Sequence, residues 1–413
     1  MRISEFSAEG FRNFTSLTWR PGPGLNIIHG DNGQGKTNLA EGLYFLCHLK
    51  SFRTTRLDQL LQMGARQGGM KGQVEVRGLP RDLRVELSRR GRRVWQDGQS
   101  ITKTSEYISN YFAIAFNPDA LYSFRNYPQE RRSFFDRVFS FLDKPYLDEL
   151  RNFRHIHAQK NRLLKNADMR SLPEWNQLFI ESGTALARMR RGWVEKINLF
   201  LPEPYKKIKG KNDRISLIFN PGIAYHKEDA MAALERLRES ERHVGHALYG
   251  PHRDDYRLAD IAGGEMGAMA DGAPGGEAAQ ITGVTPPEMQ PEPGKVVPDP
   301  RLEDPAPGLV EAPGEPEQEM RPDAYFSQGE YRLAMVAMLL AMAALLEEER
   351  GFHPLIILDD LFSELDQGVA ERLTEMLNGL PNQVFITTAH APTAGRFQGA
   401  HVKKIEHGAF LEG

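Results

Sequence analysis

The sequence contains very little cysteine and no long, uninterrupted apolar segment. Its 413 residues include one cysteine, Cys47, which excludes an intrachain disulfide and fits a reducing compartment. The longest apolar stretch, 333–346, is too short to span a bilayer and is followed by charged residues. The N-terminus lacks the apolar core of a signal peptide. We therefore expect a cytoplasmic protein with no membrane anchor.

The small net charge of −3 hides two segments of opposite sign. Residues 125–214 carry 20 basic side chains against 11 acidic ones. Such an excess favours a polyphosphate partner, although a solvated helical face explains it about as well. Residues 259–322 hold 13 acids, 3 bases, 12 prolines and 10 glycines. Because this composition buries little apolar surface, it predicts disorder.

The most informative segment is a glycine-rich octapeptide between an apolar run, 25–29, and a helical pattern, 38–46. Its spacing is that of a phosphate loop, whose amides surround phosphate oxygens at the start of a helix. We expect the lysine to reach the β- and γ-phosphates of ATP and the threonine to bind Mg²⁺. The loop consists of Gly30, Asp31, Asn32, Gly33, Gln34, Gly35, Lys36 and Thr37.

Two acids follow a second apolar strand pattern, 354–358. In a phosphate-loop enzyme, the first acid, Asp359, would hold Mg²⁺ and the second, Asp360, would polarise the attacking water. The alternative interpretation is a pair of helix-capping acids. Further along, His390 ends the strand pattern 383–388 and is either a γ-phosphate sensor or a structural residue.

A Ser-x-Gly sequence, Ser327-Gln328-Gly329, begins a long helical pattern, with Ser327 as a good N-cap. Taken together, the order of motifs resembles ABC-type ATPase heads. In those heads the Ser-x-Gly signature of one subunit closes on ATP held by another. The resemblance implies that Ser363 and Asp366 belong to the loop that follows the catalytic acid.

Three other classes share some of these motifs. In transporter ATPase subunits the phosphate loop and the signature lie close together, whereas here they are separated by almost the whole chain. A metabolic kinase would not need the signature. SMC-type chromosome and repair ATPases have the split head, but their helical insert is far longer.

The chain closely resembles, over nearly its full length, the RecF family of bacterial recombination mediators. It implies a weak, DNA-stimulated ATPase that dimerises on ATP and binds duplex or gapped DNA. It also implies that the protein directs RecA loading with RecO- and RecR-type partners in repair, fork maintenance and SOS induction. Two departures are the long segment 259–322 and Glu330, where the family usually has Gln. The motifs that carry the resemblance are 9–14, 26–38, 51–54, 116–119, 128–132, 250–255, 327–330 and 358–366.

We predict an α/β fold: an ABC-type phosphate-loop ATPase head with an antiparallel β flank and an inserted α-helical arm lobe. The predicted divisions are 1–125 (first half of the head), 126–215 (basic arm lobe), 216–258 (return into the head), 259–322 (disordered insertion) and 323–413 (second half of the head). Residues 250–255 are either a nucleotide-proximal loop or a structural turn. Candidate DNA contacts are Arg131, Arg132, Arg188, Arg190, Arg191, Lys206 and Lys207.

Overall fold

The computed structural model describes residues 1–210, 215–260, 326–363, 365–389 and 399–411. The strands are β1 (Arg2–Phe11), β2 (Phe14–Trp19), β3 (Leu25–His29), β4 (Gln67–Val76), β5 (Leu79–Ser88), β6 (Gly91–Gln96), β7 (Gln99–Ser100), β8 (Ala113–Phe116), β9 (Ile215–Asn220), β10 (Asp255–Asp260), β11 (Leu355–Leu358), β12 (Val384–Thr388), β13 (His401–Glu406) and β14 (Ala409–Phe410). The helices are α1 (Lys36–His48), α2 (Thr104–Ile108), α3 (Pro118–Asn126), α4 (Pro128–Leu142), α5 (Lys144–Lys165), α6 (Leu172–Phe200), α7 (Pro202–Lys209), α8 (Lys227–Val244), α9 (Gln328–Arg350) and α10 (Gln367–Asn378).

A six-stranded sheet in the order β14-β13-β3-β12-β11-β8 carries the motifs predicted to bind phosphate. The strands from β13 to β8 run parallel to their neighbours, and only β14 pairs antiparallel. All four residues of β11 are buried, as expected for a parallel strand covered on both faces. Because parallel strands end at one edge, the ends of β3 and β11 are separated only by β12.

A second, antiparallel sheet in the order β2-β1-β4-β5-β6-β7 forms the predicted β flank. Its strands alternate between buried and exposed residues, so that Leu83, Val85 and Leu87 of β5 are buried and Arg84 is exposed. Helix α1 packs against strands of both sheets. The strands are longer than the sequence pattern predicted, since β4 begins at Gln67 rather than near residue 72.

Helices occupy most of the segment from 118 to 209, where helical patterns were predicted. We call α3 to α7 the helical region. Helices α5 and α6 pack along each other, and α6 also contacts the β9–β10 pair and α9. The predicted disordered insertion begins two residues too early, because Ala259 and Asp260 belong to β10. From residue 261 onward the insertion lies outside the described residues.

Helix α9 is, within the described ranges, the one helix long and apolar enough to cross a membrane. However, 83% of its apolar window is buried inside the protein. It packs against α4, α6, α7 and β8, so its apolar surface forms part of the main hydrophobic core.

Candidate phosphate-binding site

The phosphate loop connects β3 to α1, as the sequence predicted, and its glycines are required by the local geometry. Gly30 has φ 150°, and a Cβ atom there would lie 2.3 Å from the carbonyl oxygen of Ile405. Gly35, at φ 114°, is the N-cap of α1 and offers no side chain to cap it. The first amides of α1 are therefore left to an anion, which the partial positive charge of the helix N-terminus also favours.

Lys36 is buried and curls back over the loop. Its Nζ atom donates hydrogen bonds to the carbonyl oxygens of Gly30 at 2.6 Å and Asp31 at 2.8 Å. Burial lowers the pKa of Lys36, and the negative charges of Asp360, Asp359 and Asp31 oppose that shift. A cation surrounded by carbonyl oxygens and carboxylates can transfer its donors to the oxygens of a bound phosphate.

The loop meets the end of β11 through a hydrogen bond between Thr37 and Asp359. The Thr37 hydroxyl donates to Oδ1 of Asp359 at 3.0 Å, and Thr387 at the end of β12 donates to the same oxygen at 2.5 Å. Burial raises the pKa of Asp359, and the two hydroxyl donors oppose the rise. A hydroxyl and a carboxylate are hard oxygen ligands, the kind that Mg²⁺ takes alongside substrate phosphates. The donor set therefore fits that ion.

Asp360 follows directly and has an unusual backbone conformation, with φ 50°. Its backbone N–H donates to the Thr387 hydroxyl at 3.0 Å, and its carbonyl oxygen accepts from Ser363 at 3.2 Å. An unfavourable φ held by surrounding hydrogen bonds is typical of a functional residue. Asp366 instead caps α10, since its Oδ1 accepts from the backbone N–H of Val369 at 2.9 Å.

Thr387 was not predicted as a site residue. It links Asp359 to Asp360, and the only available signal was a threonine pair at the end of an apolar strand. His390, which the sequence analysis placed at the end of the same strand pattern, lies outside the described residues.

Residues remote in sequence hold the loop in place. Asn13, in the turn between β1 and β2, donates to the carbonyl oxygen of Gln34 at 3.1 Å and accepts from Asn38 at 2.7 Å. From the β13–β14 turn, the N–H of His407 donates to the Gln34 side chain at 2.6 Å, and Gly408 donates to its carbonyl oxygen at 3.0 Å. Sequence reasoning missed these contacts, because nothing local to the loop indicates them.

The basic loop after α1 is anchored by a fully buried carboxylate, Glu41. Arg12 donates two hydrogen bonds of 2.7 Å to Glu41, and Ser51 donates a third at 2.5 Å. Arg53 lies 3.7 Å from Glu41 and donates to Asn38 at 3.1 Å. The loop is thus fastened to the first turns of α1, close to the phosphate-binding residues.

The predicted signature residues begin α9. Ser327 and Glu330 form a capping box: the Ser327 Oγ accepts from the Glu330 N–H at 3.2 Å, and Glu330 accepts from the Ser327 N–H at 3.1 Å. Lys209 at the end of α7 pairs with Glu330 at 3.1 Å. These donors lower the pKa of Glu330, with the backbone N–H of Ser327 as the largest cause. Gln328 and Gly329 continue the first turn.

The first turn of α9 is connected to the end of β11. Arg332 is buried and donates to the Ser363 hydroxyl at 3.2 Å, and Ser363 donates in turn to the carbonyl oxygen of Asp360. The first turn of α9 is therefore connected to the backbone of Asp360 through one side chain, that of Ser363.

Two of the predicted DNA contacts, Arg131 and Arg190, are buried and paired, which argues against that role for them. Arg131 is buried and forms a two-pronged pair with Asp255, at 2.6 and 2.9 Å. Arg190 is buried between Asp136 and Asp254, at 2.7 Å from each. A buried guanidinium that is paired with carboxylates cannot reach a DNA backbone without breaking those pairs.

The same region includes residues 250–255, for which the sequence left two interpretations open. Asp254 accepts hydrogen bonds from Arg190 and from the backbone N–H of Gly222, while Arg132 donates to its carbonyl oxygen at 2.7 Å. The segment therefore joins α4 and α6 to the β9–β10 pair, as the structural interpretation predicts.

The remaining basic candidates lie on or near the surface of the helical region. Arg132 is half-buried; Arg188 is exposed and donates to the carbonyl oxygen of Tyr225, at 2.6 Å. Arg191 pairs with Glu195 on its own helix. Lys206 and Lys207 are exposed on α7.

Comparisons with known proteins agree with this architecture. The profile of the RecF/RecN/SMC N-terminal domain family matches residues 2–404. A DNA replication and repair protein RecF from Geotalea daltonii is 27% identical over 98% of this chain and 96% of its own length. One from Moorella thermoacetica is 28% identical over 99% of this chain and 96% of its own length.

Solved structures show the same fold. The structure titled as the recombination mediator protein RecF with ATP in the RecFOR pathway superposes with a TM-score of 0.75 and 21% identity, covering 99% of this chain and 98% of that one. An SMC head bound to the winged-helix domain of ScpA gives a TM-score of 0.51 at 13% identity, covering 99% and 96%. The fold is therefore that of an ABC-type ATPase head, and the chain belongs to the RecF/RecN/SMC N-terminal domain family.

Proposed function

We propose that this chain is an ATP-dependent, DNA-binding recombination mediator of the RecF type. The observation that carries the proposal is the meeting of Thr37, Asp359 and Thr387 beside the buried Lys36. The similarity to RecF relatives over nearly their full length favours this member of the family over the long-armed SMC proteins.

In this proposal, Gly30–Thr37 binds the phosphates of ATP. Lys36 transfers its hydrogen bonds from the loop carbonyls to the β- and γ-phosphates, while Thr37 and Asp359 hold Mg²⁺. The ion neutralises charge on the phosphate oxygens when it is bound. Asp360 orients the attacking water and accepts its proton.

The second half of the site comes from another copy of the chain. Ser327, Gln328 and Gly329 begin α9 with donors that suit a γ-phosphate, so ATP would join two heads into a homodimer. ATP then acts by shifting the population toward the dimer, and slow hydrolysis, stimulated by DNA, releases it. The path from Arg332 through Ser363 to Asp360 connects closure with hydrolysis.

The cellular role would follow from this ATP-dependent dimer. The dimer would bind duplex and gapped DNA in the cytoplasm and, with RecR- and RecO-type proteins, direct RecA loading in recombinational repair, replication-fork maintenance and SOS induction. Arg188, Arg191, Lys206 and Lys207 remain candidate DNA contacts from the helical region, as does the half-buried Arg132.

The proposal is tested by measuring the mass of the full chain by light scattering, with ADP, ATP or a non-hydrolysable analogue, with and without gapped DNA. We expect a monomer that dimerises only with the triphosphate and then binds DNA more tightly. Lys36→Ala should abolish the dimer. Asp360→Asn should retain it while hydrolysis falls at least about 100-fold. A protein that hydrolyses ATP as an unchanging monomer indifferent to DNA would contradict the mediator function.

A further inference from the structure

The outer face of the antiparallel sheet is a basic surface that the predicted DNA contacts did not include. Four of the five residues at the β5–β6 turn are arginines: Arg89, Arg90, Arg92 and Arg93. Together with Arg84 and Trp95 they form what we call the arginine hairpin, residues 84–95. Arg89 and Arg90 are exposed, and the side chains of Arg84 and Arg93 are 52% and 72% exposed.

A shallow trough of about 720 Å³ runs across the sheet beside this hairpin, from β2 to β6. Its floor is low because many of the residues there are glycine or serine, among them Ser7, Gly68, Gly69 and Ser88. Five strands at about 4.8 Å spacing make it about 19 Å wide. Over that length of axis a DNA duplex presents about eleven phosphate charges.

The charge of the trough is positive. Two acids, Glu9 and Glu86, line it against four basic residues, Lys71, Arg84, Arg90 and Arg93. Register places Lys71 opposite Arg84, and Glu86 opposite Arg93. Arg84 and Arg93 share the single carboxylate of Glu86, so part of the positive charge is left uncompensated.

Arg92 does not contribute its side chain to this surface. In the register of β5 and β6 it lies opposite the buried Leu87, whereas Arg93 lies opposite Glu86. Because successive side chains of a strand point to opposite faces, the Arg92 side chain is on the other face of the sheet.

The aromatic residue of this face favours double-stranded over single-stranded nucleic acid. Single-strand sites use open aromatic rings on which bases stack. Here the guanidinium groups of Arg84 and Arg93 lie over the Trp95 ring, at 5.2 and 5.5 Å from its centre. The ring is thus covered by cations that suit phosphates rather than bases.

We propose that the trough and the arginine hairpin bind the phosphate backbone of duplex DNA without reading its sequence. This inference rests on the proposed function, since it places part of the DNA path of the mediator on the antiparallel sheet. The contacts are side-chain donors to phosphates, which set position and affinity rather than base preference.

The test uses the full chain with the double substitution Arg90→Ala/Arg93→Ala. The control, Arg238→Ala/Arg242→Ala, removes the same charge from α8, where each arginine pairs with a glutamate on its own helix. Affinity for a blunt duplex is measured by fluorescence anisotropy between 50 and 300 mM salt, with ATP binding measured separately. We expect the hairpin variant to bind duplex about tenfold more weakly, with a salt slope smaller by about 2, and the control to match the wild type.

A conservative variant sharpens the test. Arg93→Lys keeps the charge but loses the planar fork, so it should weaken binding about threefold at an unchanged salt slope. A hairpin variant that binds duplex like the wild type would overturn the inference and leave the mediator function standing. The inference would also be overturned, with the mediator function left standing, if the variant binds duplex normally but no longer binds polyglutamate, the probe for an acidic protein. A wild type that binds no DNA with any nucleotide would overturn both.

Discussion

The helical region and the arginine hairpin are both rich in arginine, but the two groups of arginines differ in burial and in ion pairing. Arg131 and Arg190 in the helical region are buried; the half-buried Asp255 holds Arg131, and the buried Asp136 and Asp254 hold Arg190. Arg90 and Arg93 in the hairpin are exposed, and Arg93 shares one carboxylate with Arg84. The basic residues of a segment can therefore serve to hold its own helices together through ion pairs. Burial distinguishes such residues from those of a surface that binds a partner.

The largest expected effect comes from removing the buried ion pairs of Arg190 in the helical region. Arg190→Met leaves Asp136 and Asp254 without their shared cation, and removing one partner of a buried pair costs about 3–5 kcal/mol. We expect the free energy of unfolding, measured in denaturant, to fall by about 4 kcal/mol. Arg188→Met, two residues away and exposed, is the control and should change it by less than about 0.5 kcal/mol. Equal effects would mean that the buried pairs do not hold this region.

Acid should loosen the helical region. The stacked rings of His157 and His252 lie 4.3 Å apart, and burial lowers their pKa values to about 4 and about 3. Between these values and about 6.5, the unfolded chain binds more protons than the folded one, so stability is full above pH 6.5 and falls as the pH drops toward 4.

We expect these two histidines together to lower the free energy of unfolding by about 2 kcal/mol between pH 7.5 and pH 5.5, after allowance for the partial exposure of both rings. Denaturant unfolding of the wild type and the variant across this range measures their share. His157→Phe should reduce the pH-dependent loss by about 1 kcal/mol, because Phe carries no titrating group. An unaltered pH profile in that variant would assign the loss to other residues.

The ion pair of Lys209 and Glu330 is intermediate in exposure between the buried pairs of the helical region and the exposed arginine hairpin. Its side chains are 13% and 39% exposed. The Glu330 carboxylate occupies donors of Ser327 that a γ-phosphate would need, and it adds a negative charge beside them. Glu330→Gln removes that charge. We expect the ATP-dependent dimer to tighten about fivefold by light scattering, with stability changed by less than about 1 kcal/mol. Weaker dimerisation would show that the carboxylate assists closure.

The smallest expected effect concerns the exposed lysines of the helical region. Lys207 pairs with Glu203 on the same helix at 3.3 Å, which offsets part of its charge. Lys206→Ala/Lys207→Ala should therefore weaken duplex binding only about threefold, against about tenfold for the hairpin variant. The same anisotropy titration measures both. The reverse order would place the main DNA contact on the helical region.

Local patterns were sufficient for much of the candidate site. The loop Gly30–Thr37 and the acids Asp359 and Asp360 follow buried strands, and glycine spacing and strand-end position are properties of neighbouring residues. The bend between β1 and β2 and the cap at Ser327 were also predictable, because backbone conformation there depends on a few adjacent side chains. The fold class followed from the order of these motifs along the chain and the family resemblance.

The sequence alone thus determined which residues form the phosphate loop, which acids follow β11 and where α9 begins. Only the tertiary structure decided that Thr387 joins the two acids and that Asn13 and the β13–β14 turn hold Gln34. It likewise decided that the charged groups of Arg131 and Arg190 face carboxylates rather than solvent. The physical reason is that burial and pairing depend on segments distant in sequence, which no local pattern records.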